Sequence, residues 1–258
     1  MRCKRLGVAV VVAMAGACAT HTANRQNDGK ELTAEIAEIM ATNHVYETAV
    51  PLLQQGISED PNNARLHRLL GAVLRDRGIY VEALKELQLA NSLQPNDADT
   101  AAAMGVLYDL RGNPAAAEIW HRRALDLAPE RAEFFNNLGF SMYLQGRNYE
   151  AVTAFQEALR RNPNQPRAYN NLGFTLARLK DFDAALRAFQ QAGTKAAALA
   201  NLGLAYELAA DLDEARRCYK GALRLDRRLD VARKNLANLA RNDHPAAESA
   251  PDSPEVMP

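Results

Sequence analysis

The sequence predicts an all-α protein, a solenoid of six helix–turn–helix repeats followed by a capping helix. Three observations carry this prediction. A phrase centred on Asn-Leu-Gly recurs in FFNNLGFSMYLQG (134–146), YNNLGFTLARLK (169–180) and LANLGLAYELAAD (199–211). Small residues recur every 34 residues on either side of Gly139, with one shorter step of 30 residues to Gly203. Proline recurs near the end of four of the resulting repeats. Self-similarity at a fixed period of about 20–50 residues is the signature of a repeat array.

The period divides most of the chain into six repeats, and positions are counted here from the first residue of each. Position 8 is glycine in the last five repeats, position 20 is alanine in all six, and position 27 is alanine or glycine. The repeats span residues 30–63, 64–97, 98–131, 132–165, 166–195 and 196–229.

Each repeat is predicted to form two antiparallel helices. Small residues at positions 8, 20 and 27 mark the places where helix backbones approach closely, and larger apolar residues fill the remaining space. Gly78, Gly112 and Gly146 are expected to end the first helix in the left-handed conformation. Proline at position 32, as in Pro95 and Pro129, ends the second helix because it lacks an N–H and clashes with the preceding turn.

This pattern resembles the tetratricopeptide repeat, from residue 30 to residue 229. The resemblance implies a right-handed superhelix whose first helices line a concave groove. Residues 230–241 (DVARKNLANLAR) keep the apolar phase for one further helix, which is predicted to cap the open end of the array. The short step at QQAGTKAAALA removes about one helical turn and the usual proline, so packing is expected to change between repeats five and six.

The resemblance also implies that positions 2, 5, 6, 9, 12 and 13 face the groove. Asparagine occupies position 6 in three consecutive repeats, and its side-chain amide both donates and accepts hydrogen bonds. Apolar and aromatic residues at positions 9 and 12 lie beside this row, a combination typical of peptide grooves. An alternative stays open, because Asn before Leu-Gly is common in this repeat family without any ligand contact. The candidate groove residues are Asn136, Asn137, Phe140, Tyr143, Asn170, Asn171, Phe174, Asn201 and Leu204.

The first 17 residues have the pattern of a secretory signal. Arg2, Lys4 and Arg5 precede a short apolar run, and small residues lead to a cysteine at position 18. The segment resembles a bacterial lipobox, which implies lipidation of Cys18 by an acyl chain such as palmitate, followed by a tether over 18–29. In such lipoproteins Ala19, rather than an aspartate, favours the outer membrane, with the protein facing the periplasm. If Cys18 carries no lipid, the expectation becomes a soluble periplasmic protein.

Composition excludes several other functions. Lys and Arg balance Asp and Glu at 31 each, so no global field indicates nucleic acid as a partner. Neither a catalytic constellation nor a metal-ligand spacing occurs, so we expect no enzyme activity, no metal and no cofactor. Cys218 is interpreted as a small buried residue on a helix. Residues 242–258 contain four prolines and four acidic residues, and are predicted to be a disordered tail.

An exported lipoprotein built from these repeats resembles the PilF/PilW pilotin family and the Tgl-like lipoproteins, which assist secretin assembly for type IV pili. Residues 136–159 (NNLGFSMYLQGRNYEAVTAFQEAL) carry this resemblance. It implies a non-enzymatic scaffold, held to the membrane by its lipid, whose groove binds an extended peptide or helix such as a secretin segment. Two alternatives are a TadD-like component of tight-adherence pili and an envelope adaptor that recruits a protease or a cell-wall enzyme.

Overall fold

The computed structural model describes residues 35–36, 38–40 and 43–243. The predicted signal peptide (1–17), Cys18 with its tether (18–29) and residues 244–258 lie outside the described residues. Residues 35–36 and 38–40 are helical, twelve helices with defined bounds follow, and no strand occurs in these ranges. The predicted all-α architecture is confirmed.

The helices fall into two compact halves, the first ending at Leu127 and the second beginning at Ala128. In the first half, α2 packs against α3 and α4 packs against α5, while α1 lies on α2 and α3 lies on α4. Helix pairs therefore stack on their neighbours in chain order. The helices of this half are α1 (Tyr46–Glu59), α2 (Ala64–Asp76), α3 (Tyr80–Leu93), α4 (Ala98–Leu110) and α5 (Pro114–Leu127).

The second half repeats this arrangement with three helix pairs and a final helix. Contacts join α6 to α7, α8 to α9 and α10 to α11 within the pairs, and α7 to α8 and α9 to α10 between them. The helices are α6 (Ala132–Leu144), α7 (Asn148–Arg161), α8 (Pro166–Arg178), α9 (Phe182–Ala192), α10 (Lys195–Leu208), α11 (Leu212–Leu225) and α12 (Asp230–Asp243).

The final helix α12 occupies the place predicted for the cap and packs against α11 and α10. Two of its own residues, Ala232 and Leu239, are buried in this contact. It continues two residues beyond the predicted end at residue 241, so residues 242–243, assigned to the tail by composition, belong to the helix. Polar residues such as Asn242 do not stop a helix by themselves, and helix ends are the least determined part of a sequence pattern.

The short fifth repeat is explained by the length of α9. This helix has 11 residues, whereas α7 and α11 each have 14, so almost one turn is missing. The chain then turns at Gly193, and the Thr194 side chain accepts a hydrogen bond from the Ala197 N–H at 3.1 Å to begin α10. This N-cap begins α10 as the Asn63 and Asp97 side chains begin α2 and α4.

Small residues allow the two helices of each repeat to approach closely. The alanine at position 20 is fully buried in all six repeats, at Ala49, Ala83, Ala117, Ala151, Ala185 and Ala215. The glycine at position 8 faces the large side chain at position 24. A Cβ atom on Gly139 would lie 2.8 Å from Phe155 Cε1, and one on Gly173 would lie 2.5 Å from Phe189 Cε1. Any side chain at these glycines would overlap the ring, so the contact requires glycine.

Two repeats place a polar ring at position 24 and match it with an acidic residue at position 12. His121 is fully buried and its Nε2 lies 3.0 Å from Asp109 Oδ2. The Tyr219 hydroxyl donates to Glu207 Oε2 at 2.8 Å, and it accepts a hydrogen bond from Asn235 Nδ2 of α12 at 3.2 Å. Burial, followed by the bond to Glu207, raises the pKa of Tyr219 well above its ordinary value. The cap is thereby joined to the last repeat by a polar contact as well as by apolar packing.

Position 15 takes the left-handed conformation in every repeat. Gly78, Gly112 and Gly146 have φ values of 77°, 73° and 76°, which confirms the predicted turn. His44, Lys180 and Ala210 hold the same position with φ values of 60°, 65° and 61°. Residues other than glycine are strained in this conformation.

Gly173→Ala is expected to lower the free energy of unfolding by about 1–3 kcal/mol, because the new methyl group overpacks against Phe189. The higher helix propensity of alanine opposes this loss by about 1 kcal/mol. Gly221→Ala is the matched control, since a Cβ atom there would meet Leu199 Cδ1 at 3.3 Å and the change is expected to be neutral or stabilising. Urea denaturation measures both variants, and equal stabilities would contradict the steric argument.

Ala210→Gly is expected to raise the free energy of unfolding by about 1 kcal/mol, because glycine removes the left-handed strain at the turn between α10 and α11. Ala209→Gly changes a neighbouring residue with φ of −87° and should bring no gain. Thermal and urea denaturation of the pair test this prediction. A gain in both variants, or in neither, would show that the strain at Ala210 is negligible.

Candidate peptide-binding groove

All nine predicted groove residues lie on the first helices of the second half. Helix α8 contacts both α6 and α10, so the three helices form one continuous surface. Asn136, Asn137, Phe140 and Tyr143 lie on α6, Asn170, Asn171 and Phe174 on α8, and Asn201 and Leu204 on α10.

The asparagines form pairs between neighbouring repeats. Asn171 Nδ2 donates to Asn136 Oδ1 at 2.9 Å, and Asn201 Nδ2 donates to Asn170 Oδ1 at 3.0 Å. Position 6 of one repeat thus bonds to position 5 of the repeat before it. Asn136 is buried, whereas the other four asparagines are half-buried. Some of the hydrogen-bonding groups of the asparagine side chains therefore hold the first helices together, and the others are available to a ligand.

Aromatic residues of α6, α7 and α8 line a small pocket of about 80 Å³. Phe140 is 38% exposed and stacks on Tyr143, with ring centroids 6.3 Å apart. Phe174 is half-buried and meets the core ring of Phe189 edge-on at 4.9 Å. Phe174 therefore both supports the core and lines the pocket. The lining residues are Phe140, Tyr143, Phe155, Asn171 and Phe174.

A larger pocket of about 210 Å³ adjoins the first and shares Tyr143 and Phe174 with it. Its other walls come from the ends of α8 and α10 and from the turns that follow them. Leu208 is 70% exposed there, so an apolar side chain faces solvent at the edge of the pocket. The lining residues are Tyr143, Phe174, Ala177, Arg178, Lys180, Ala205, Leu208 and Ala209.

Arg178 fixes one wall of this pocket. Its Nη1 donates to the Tyr143 carbonyl at 3.0 Å, and its guanidinium lies 4.5 Å from the centroid of the Tyr143 ring. Lys180 adds a second cation, and none of the residues lining either pocket is acidic. The two pockets together suit an apolar segment that carries a negative charge near Arg178 and Lys180.

Sequence reasoning found part of this lining. Of the nine predicted residues, Phe140, Tyr143, Asn171 and Phe174 line the pockets, whereas Leu204 and the other four asparagines line neither of the two. The pattern analysis missed Arg178 and Leu208, although both occupy position 13, which the repeat family turns toward the groove. It also missed Lys180, because position 15 was interpreted only as a turn.

Cys218 lies behind the groove and belongs to the core. It is buried among residues that include Phe189, Leu202 and Ala205. Burial, with the carboxylates of Glu214 and Asp211 as smaller causes, raises the pKa of the Cys218 thiol to about 11. The thiol is therefore protonated near neutral pH and is a poor nucleophile.

The family assignment follows from these repeats. Sequence models of the tetratricopeptide repeat match residues 42–107, 130–192 and 196–228, which together make up well over half of the chain. The protein belongs to the tetratricopeptide-repeat family, whose fold serves as a scaffold for protein interactions. No curated protein sequence matches the chain significantly.

Several solved structures share the fold. PilF of Pseudomonas aeruginosa aligns with a TM-score of 0.60 and 21% identity over 81% of this chain and 99% of that one. YrrB, described as a repeat protein with an unusual peptide-binding site, aligns with a TM-score of 0.51 and 21% identity over 71% of this chain and 96% of its own. The APC/C component complex Cut9–Hcn1 gives a TM-score of 0.67 and 17% identity over 81% of this chain and 42% of that chain. At these identities the likeness shows the repeat fold.

A double-mutant cycle tests the asparagine pairs. The substitutions Asn136→Ala and Asn171→Ala should couple by about 0.5–1.5 kcal/mol in the free energy of unfolding, because each removes the same hydrogen bond. Asn136→Ala combined with Asn201→Ala is the control, since these two side chains belong to different pairs. Additive losses in both combinations would show that the pairing contributes nothing to stability.

Proposed function

We propose that this protein is a lipid-anchored pilotin of the outer membrane that captures a secretin segment for type IV pilus assembly. The general role, a scaffold for protein interactions, follows from membership of the tetratricopeptide-repeat family. The proposal that the protein captures a secretin segment rests on the pair of adjoining pockets on α6, α8 and α10, which share Tyr143 and Phe174.

The groove supports binding of a peptide rather than of a small solute. Apolar pockets and side-chain amides lie on the same three first helices, α6, α8 and α10, so that side chains can be selected while backbone groups are hydrogen-bonded. Leu208 and Phe140 offer exposed apolar surface at the two ends of this row. An extended or helical segment of a partner spans such a row, whereas a compact ligand would fill one pocket only.

Similarity to PilF supports the proposed role in type IV pilus assembly. The alignment includes 99% of that chain and 81% of this one, so the likeness extends well beyond a single shared repeat. The lipobox-like stretch ending at Cys18 is consistent with a lipoprotein. No helix in the described part of the chain is long and apolar enough to cross a bilayer. A lipid on Cys18 would raise the effective concentration of a captured secretin at the membrane, so even a weak groove would serve.

Deletion of the gene in its native host tests the proposal. Heat-stable secretin multimers and pilus-dependent motility should both be lost and should return with the wild-type gene. Normal multimers in the deletion strain would refute the pilotin role. In that case pull-down with a tight-adherence component, or with a protease or cell-wall enzyme, would identify the alternative scaffold. Radiolabelled palmitate should be incorporated in the wild type and not in Cys18→Ser.

The groove is tested by Leu208→Asp. The side chain is 70% exposed, so the substitution should leave the fold intact while it places a charge at the larger pocket. We expect multimer formation to fall at least about tenfold, as for loss of a desolvated apolar contact at a binding site. Tyr149→Asp is the matched control, because Tyr149 is 79% exposed on the second helix α7, outside the pockets. Wild-type multimers with Leu208→Asp, or equal losses in both variants, would place the binding site elsewhere.

A further inference from the structure

Charge is distributed unevenly along a chain that is neutral as a whole. Residues 216–241 contain nine basic residues and only two acidic ones, Asp226 and Asp230. This segment covers most of α11, the turn after it and most of α12. The basic residues are Arg216, Arg217, Lys220, Arg224, Arg227, Arg228, Arg233, Lys234 and Arg241.

Three of these cations are paired within the protein. Arg216 pairs with Asp213, Arg217 with Glu214 and Arg233 with Asp230. The other six are all exposed, and none of them forms an ion pair with a residue in the described ranges. They are named here the basic surface, and comprise Lys220, Arg224, Arg227, Arg228, Lys234 and Arg241.

The basic surface lies on two packed helices and on the turn that joins them. Helices α11 and α12 pack against each other and against α10 through a core that includes Tyr219, Ala222, Ala232 and Leu239, and the cations lie on the parts that stay exposed. Lys220 and Arg224 are four residues apart and lie on one face of α11. Lys234 and Arg241 are separated by two turns of α12, and the intervening turn carries Arg227 and Arg228.

Apolar side chains lie among the cations. Leu225 is 58% exposed at the end of α11, and Val231 is 50% exposed at the start of α12. The single aromatic residue of the segment, Tyr219, is fully buried. Exposed aliphatic groups beside unpaired cations are typical of surfaces that enter a lipid headgroup layer. Proteins that bind single-stranded nucleic acid instead stack bases on exposed aromatic rings, and none is available here.

We propose that the basic surface docks on anionic phospholipid headgroups. Phosphates of the headgroups neutralise the six cations, and Leu225 and Val231 enter the boundary between headgroups and acyl chains. This interaction is independent of the groove and of the secretin proposal. If Cys18 carries a lipid, the basic surface is a second contact that orients the array on the membrane, since stable anchoring generally takes two signals.

Vesicle sedimentation with the full chain tests the proposal. The chain is mixed with vesicles of phosphatidylcholine alone or with about 30% phosphatidylglycerol, a content in the range of anionic membranes. Binding should be at least about tenfold stronger to the anionic vesicles, and raising the salt from about 50 to about 300 mM should weaken it by screening. The apolar N-terminal segment carries Arg2, Lys4 and Arg5 and itself favours anionic vesicles, so its contribution is separated by variants that leave this segment unchanged. Equal binding to both vesicles would overturn the proposal.

A charge-matched pair of variants locates the contact. The first combines Lys220→Glu, Arg224→Glu, Arg227→Glu and Arg228→Glu. The control changes net charge by the same amount at exposed positions elsewhere, with Lys85→Glu, Arg111→Glu, Arg167→Glu and Lys195→Glu. Each cation near an anionic membrane contributes roughly a fivefold factor, so the first variant should lose at least about tenfold in binding and the control much less. Equal losses would show a general charge effect and refute a defined surface.

The apolar residues separate lipid from other anionic partners. Leu225→Ser combined with Val231→Ser keeps every charge and should weaken binding to anionic vesicles several-fold, because aliphatic surface no longer enters the lipid boundary. Unchanged vesicle binding by this variant would overturn the role of the two apolar side chains. Tight binding of a fluorescent single-stranded oligonucleotide without binding to anionic vesicles would overturn the lipid proposal in favour of nucleic acid. Circular dichroism of each variant confirms that the helices are intact.

Discussion

The close approach of two helices at position 8 is the constraint on which the rest of the array depends. Glycine at this position lets the ring or aliphatic group at position 24 lie directly against the backbone of the first helix, as Phe189 does at Gly173 and Tyr219 does at Gly203. The alanine at position 20 is buried on the second helix, and its small side chain allows this helix to lie close to its neighbours. Because the small residues recur at the same positions of each repeat, the helix pairs pack in the same way, and each pair stacks on its neighbours within a half.

Regular stacking in the second half places the first helices α6, α8 and α10 side by side, and this arrangement creates the groove. The asparagine pairs Asn136–Asn171 and Asn170–Asn201 hold neighbouring helices at a fixed separation. Between them, Phe174 joins core and surface, because it packs on Phe189 and lines both pockets. A change in the core at Gly173 would therefore alter the groove, and binding and stability are linked through this ring.

The two proposed surfaces lie on different elements and use different chemistry. The groove has apolar pockets with the cations Arg178 and Lys180 at one edge, whereas the basic surface is formed by α11, α12 and their turn. Neighbouring repeats can thus serve different partners, since every repeat of a solenoid keeps part of its surface exposed. The shared physical basis is the regularity of the backbone, on which side chains at the exposed positions vary independently of packing.

The sequence by itself determined the repeat, its helix pairs and the positions that must be small, because packing constraints recur at every period and leave a visible pattern. It also indicated Phe140, Tyr143, Asn171 and Phe174 through their positions in the repeat. Only the tertiary structure decided that the asparagines pair with one another and that Arg178, Lys180 and Leu208 complete the pocket. It alone also showed that six cations of α11, α12 and their turn are exposed and form no ion pair within the described residues. These properties depend on side chains from neighbouring repeats meeting in space, and a linear pattern does not contain the distances between them.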